Sequence, residues 1–161
     1  MARRGSAYIA IDLKVDADET IERMEDMREQ AHDLRPVFRW AKRELEKSYA
    51  ANIAASGLLA GGWDPLSPSY ASWKAARFPG APMMVRTGRL FRSISELNDS
   101  AINVITKTSA QFGTTVEYAK FHQYGTSKMP KRKIVFEPRG FASDLGEKIA
   151  KYVVDGSAIL S

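Results

Sequence analysis

The chain has 161 residues, 44% hydrophobic and 27% charged, with a formal net charge of +5. That length fits a single domain, here residues 1–161, with room for a core of its own. Cysteine is absent, which excludes disulfides and thiolate metal sites, and no stretch approaches the ~20 apolar residues of a membrane helix, so no membrane partner is expected.

At the N-terminus Arg3 and Arg4 precede an apolar stretch, but Asp12 and Lys14 interrupt it and no small-residue cleavage site follows, so no secretory leader is expected. Ala7, Ile9, Ile11, Leu13 and Val15 alternate, which predicts a strand with one buried face over 7–15. Asp16 or Asp18 can then cap a helix running to about residue 33. In it Ile21, Met24, Met27, Ala31 and Leu34 recur at spacings of three and four and read as a core stripe. Pro36 disfavours helical geometry at Arg35 and predicts a break there. A second helix over 37–55 places Phe38, Ala41, Leu45, Tyr49 and Ile53 on one side.

Gly57, Gly61 and Gly62 end that helix, and the segment 57–67 reads as a mobile loop. Ser67 and Pro68 mark a helix start, giving a helix over 68–77 that stops before Pro79. Residues 78–86 read as a second mobile loop, in which Met83, Met84 and Val85 need a partner surface, the chain's own core or a neighbouring subunit. Thr87 can cap the next short helix, with Leu90, Phe91 and Ile94 inward. Two β segments, 101–108 and 112–116, are predicted to form a hairpin turning at Ser109, Ala110 and Gln111. One or two helical turns over 118–124 close at Gly125. A third mobile loop spans 125–133, and 134–136 reads as a short strand. Asp144 and Glu147 have capping-box spacing and open a final helix with Leu145, Ile149, Tyr152 and Val153 inward. Helices and strands are segregated, which predicts an α+β fold: a small antiparallel or mixed sheet packed with N-terminal and C-terminal helices.

Charge is distributed unevenly. Between 16 and 33 the acids Asp16, Asp18, Glu19, Glu22, Glu25, Asp26, Glu29 and Asp33 face only Arg23 and Arg28. From 65 to 95 there is no acid, while Lys74, Arg77, Arg86, Arg89 and Arg92 are present. A second basic cluster holds Lys128, Lys131, Arg132 and Lys133. Such a bipolar layout can steer a like subunit or attract a polyanion such as DNA. Spacing of three sets Arg89 and Arg92 near one another on a helix with Arg86 just ahead. These guanidinium groups can grip carboxylates of a neighbour or phosphates, and a solvated face is the third reading.

Catalytic patterns are weak. The only histidines are His32 and His122. His122 with Glu117 can make an acid–base pair on paper, but no nucleophile motif or oxyanion loop accompanies it, and a structural hydrogen bond at an element end or interface is preferred. No ligand spacing suggests a metal, and no cofactor is expected.

The segments "WDPLSPSYASWK", "VRTGRLFRSI" and "FGTTVEYAKFHQYGTSKMPKRKIVF" occur in that order over residues 63 to 136. In order and spacing they resemble the virion-morphogenesis and tail-completion proteins of long-tailed bacteriophages. That family has a Trp-x-Pro-Leu segment, a Thr-Gly-x-Leu helix start and a Tyr-Ala…His-Gln-Tyr/Phe-Gly segment. An Arg-Pro-Phe-like segment usually follows; this chain has Arg132, Lys133 and Ile134 there instead. The resemblance implies a non-enzymatic ring subunit at the head–tail junction, completing the tail or connecting it to the neck around the DNA channel; a tail terminator or a head-closure protein is the alternative tier. It also implies a homohexamer, contacts with tail tube, terminator or neck proteins, non-specific contact with genomic DNA, and a place in a virion assembled in the host cytoplasm. Candidates for interface or DNA-facing residues are Arg86, Arg89, Arg92, His122, Tyr124, Lys128, Lys131, Arg132 and Lys133. A DNA-binding module using the basic central segments is the alternative.

Overall fold

The computed structural model describes residues 17–96 and 98–156. The segment 7–15, expected as a strand, and the cap candidate Asp16 lie outside these residues. The first helix, α1, spans Ala17–His32, and the second, α2, spans Arg35–Ala54. The break falls at Asp33 and Leu34, with Pro36 in the first turn of α2, where a missing N–H costs nothing. Asp33 fastens the joint: its carboxylate accepts from the backbone N–H of Arg35 (3.2 Å) and from its guanidinium (2.8 and 2.5 Å). The bonds from Arg35 hold the Asp33 carboxyl at about 2.

After α2 come a single 3-10 turn (Leu58–Ala60), α3 (Pro68–Arg77) and α4 (Arg89–Ser95). The antiparallel hairpin of β1 (Ala101–Ile105) and β2 (Ala110–Thr114) follows, then α5 (Ala119–Tyr124) and α6 (Phe141–Asp155). The fold is α+β, with a two-stranded sheet packed on α2 and α4. The hairpin register pairs Ala101 with Thr114 and Ile105 with Ala110. Its turn starts three residues earlier than the sequence suggests, at 106–109. Thr106 accepts the N–H of Ser109 on its hydroxyl (3.0 Å) and donates its own N–H to the Ser109 carbonyl (2.8 Å), so β2 begins at Ala110.

The main core joins α2 to the C-terminal third. Tyr49, Ile53, Trp63, Leu90, Ile94, Val116, Ala119, Ile134 and Phe136 form one buried cluster. Met83, Met84 and Val85 pack against it, so their partner surface within this chain is its own core. Gly57, at φ +86°, lies under the Trp63 ring: a Cβ there would sit 2.3 Å from the indole, so only glycine fits. A smaller cluster sets Val37 against Tyr152, flanked by Leu34, Leu145 and Ile149.

Residues 134–136 form no strand, and the chain bends at Val135. The side chain of Gln123 takes the place of a neighbouring strand: its Oε1 accepts from the N–H groups of Ile134 (2.9 Å) and Val135 (3.0 Å), and its Nε2 donates to the Val135 carbonyl (2.6 Å). Two further donors converge on the Lys133 carbonyl, Trp63 Nε1 at 3.0 Å and Asn52 Nδ2 at 3.3 Å. Three other expectations shift. The residue before α4 that carries the cap position is Gly88, at φ +78°, rather than Thr87, and no side chain caps it. The last helix starts at Phe141 after Gly140, at φ +81°, so Asp144 lies within the first turn and does not cap it. Finally, the apolar stripe of α1 is not core in this chain: Ile21 is 54% exposed and Met24 65%. Residues 18–29 are exposed throughout, and α1 meets the body at α6. There the Gln30 amide lies 2.7 Å from the Val153 carbonyl and 3.0 Å from that of Tyr152.

Candidate functional site

A groove of about 780 Å³ lies between α3, the loop before α4, α5 and the loop after it. Its apolar wall consists of Leu66, Tyr70, Met84, Val85, Leu90 and Met129. Its polar residues include five cations, Lys74, Arg86, Arg89, Lys128 and Arg132, together with His122, and no carboxylate lines it. A cleft with one sign of charge and low-dielectric walls concentrates ligands of the opposite sign.

Two of the cations are built into the scaffold. Lys74, 6% exposed on α3, donates from Nζ to the carbonyls of Ala81 and Pro82, both at 2.7 Å. These bonds stitch the proline-rich loop to α3, and burial pushes the Lys74 ammonium below its usual range. Arg132, 5% exposed, spreads its guanidinium over the carbonyls of Asp64 and Pro65 at 3.1–3.2 Å. Its backbone N–H donates to the His122 carbonyl at 2.7 Å. Neither cation has a carboxylate within ion-pair distance; the ion pairs found among the described residues are Asp33–Arg35, Lys42–Glu46 and Glu44–Lys47, all remote from the groove. Carbonyl dipoles satisfy their donors but leave their charges uncompensated.

His122 sits between these parts. Its ring meets Tyr118 edge-on at 6.2 Å, and its Nδ1 is buried without a hydrogen-bond partner. Burial, and secondarily the charge of Arg132, lowers its pKa and favours the neutral ring. No hydrogen bond joins it to Glu117, which is exposed.

Of the sequence candidates, Arg86, Arg89, His122, Lys128 and Arg132 therefore share one groove. Arg92 does not line it. Its guanidinium folds back over Gly88 and donates to the Thr87 carbonyl at 3.2 Å, closing the exposed start of α4. Tyr124 is 78% exposed on the end of α5, and Lys131 and Lys133 are exposed on the segment beyond. Sequence reading missed Lys74 as a groove residue. The signal available was its place one turn after Tyr70 on α3, where an apolar wall would hold a lysine stem while its head seeks acceptors. Among the described residues, no group of three or more His, Asp or Glu side chains is placed to hold a metal ion, and no helix is long and apolar enough to cross a membrane.

Comparison with known proteins gives one family. The model of the phage virion morphogenesis family matches residues 15–150, which takes in every element from α1 to most of α6. The chain belongs to that family. Searches of curated proteins and of solved structures return no match. A phage virion morphogenesis protein has a structural or assembly role in the particle, and in this family member the groove and the exposed face of α1 are two open surfaces among the described residues.

Proposed function

We propose that this protein is a non-enzymatic subunit of the phage head–tail junction, completing the tail or connecting it to the neck as a ring around the DNA channel. The family match over 15–150 carries the reading. Two surface properties support it. A monomer has no use for a helix whose apolar stripe projects into solvent, since exposed apolar patches mark contact sites. An assembly subunit also needs unlike surfaces for head-to-tail contacts that close on themselves. The sixfold symmetry of such tails makes a homohexamer the expected ring.

Deleting the gene and complementing it tests this in the particle. Lysates without the protein are expected to contain full heads and complete-length tails that fail to join, counted by electron microscopy. Normal joined particles in its absence would overturn the reading. The acid-free groove also favours a second reading, a DNA contact through phosphates. That reading requires duplex binding by the isolated chain that weakens steeply as salt is raised.

A further inference from the structure

The groove and the α1 arm are complementary in both chemistry and sign. Ile21 and Met24 lie on one face of α1, three residues apart, and Asp18 and Glu25 lie one turn before and one turn after Ile21 on the same side. Arg28 follows Met24 by one turn, so the acid-flanked apolar part of this face is the first two turns. The groove presents the converse: an apolar wall around Leu66, Met84 and Met129, and cations without carboxylate partners at Arg86, Arg89 and Lys128. Within one chain the two surfaces do not meet, because residues 18–29 are exposed and α1 is packed at α6.

We infer that the groove is the docking site for the first two turns of α1 from a second copy of this chain, with Ile21 and Met24 on the apolar wall and Asp18 and Glu25 against Arg86, Arg89 and Lys128. A duplex of DNA fits the cations but leaves the apolar wall unused, whereas this helix face uses both. The exposed arm of twelve residues, 18–29, extends about 18 Å at the helical rise, long enough to cross from one subunit onto the next. The contact joins two different surfaces and so propagates from copy to copy. It rests on the ring reading only in requiring a second copy.

The absence of cysteine makes a direct test clean. Full-length Met24→Cys is mixed with full-length Leu66→Cys, or with Met129→Cys as a second groove position, and oxidised. A covalent dimer is expected from either mixture and not when the groove cysteine is replaced by Val104→Cys on the exposed hairpin. Reversing the arm (Asp18→Lys with Glu25→Lys) or the groove (Arg86→Glu with Arg89→Glu) is expected to lower cross-linking at least about tenfold, and combining reversed arm with reversed groove to restore it. Sedimentation and negative-stain imaging read ring formation separately. Rings without the cross-link overturn the docking and leave the ring reading standing. Cross-linked open chains or pairs without rings support the docking and count against the ring. Monomers with no cross-link overturn both. A cross-link abolished by duplex DNA that binds wild-type chain but not the groove-reversed variant would make the groove a phosphate site and overturn the docking.

Discussion

The two N-terminal helices are close neighbours in sequence and opposite in fate. Both α1 and α2 carry apolar side chains at spacings of three and four. On α2 that face is sealed: Ala41, Tyr49 and Ile53 are buried, and the Tyr49 ring packs at 5.6 Å on Phe136. On α1 the equivalent side chains stand in solvent. Helical periodicity thus states that a face needs covering, and says nothing about whether the cover is in the same chain.

The largest expected effect contrasts the two faces directly. Ile53→Ala should cost about 2–5 kcal/mol in urea unfolding of the isolated chain, as for a core aliphatic truncation. Ile21→Ala should change stability by no more than about 0.5 kcal/mol, as at an ordinary surface site. Equal losses would mean that α1 is covered in the monomer, and the contrast would vanish. Next in size is the seal at the end of α2. Gly57→Ala should cost about 2–4 kcal/mol, because it adds a methyl against the Trp63 ring at a positive φ. A neutral substitution there would show that the 3-10 turn yields and that α2 is capped less firmly than its burial implies.

The smallest effect concerns the groove, where His122 is partly buried. Because the His122 pKa is lowered from its ordinary value of 6.5, the unfolded chain binds a proton that the folded chain refuses just below that pH. Stability of the isolated chain should therefore fall as pH drops below about 6.5 and level off once the folded-state pKa is passed. His122→Gln should flatten that part of the profile, measured by denaturant unfolding at stepped pH. An unchanged slope in the variant would show that His122 is solvated and that the groove is open to water at that point.

The elements punctuated by proline and glycine were the legible ones. Ser67, Pro68 and Pro79 bracket α3, whose ends agree with the sequence reading, and Gly125, at φ +77°, ends α5 where the sequence placed the stop. Boundaries chosen by side-chain capping patterns were less secure. Thr87 and Asp144 each lie near a helix start, yet glycine with positive φ occupies the cap position in both cases. The segment 134–136 has strand composition but is satisfied by one glutamine side chain, a partner that no periodicity announces. The groove was legible only in part. The basic runs around Arg86 and Arg132 were visible, but their convergence with Lys74 depends on a loop folding back on α3, which is a tertiary event. The α+β class and the family were readable because they depend on motif order rather than on such contacts.

The Lys133 carbonyl, where Asn52 and Trp63 meet, also bears on when the protein can fold. Those contacts span 81 and 70 residues of chain, and Ile134 and Phe136 fill the same cluster. Closing such long loops is slow, since their entropy is lost before any contact rewards it. The nascent chain therefore reaches α5 with its central pocket still missing two of its apolar plugs, and the helices made first must wait for Ile134 and Phe136. A chain truncated before Lys133 would lack both plugs and the carbonyl on which Asn52 and Trp63 meet, so α2 cannot complete its core until this segment has been made.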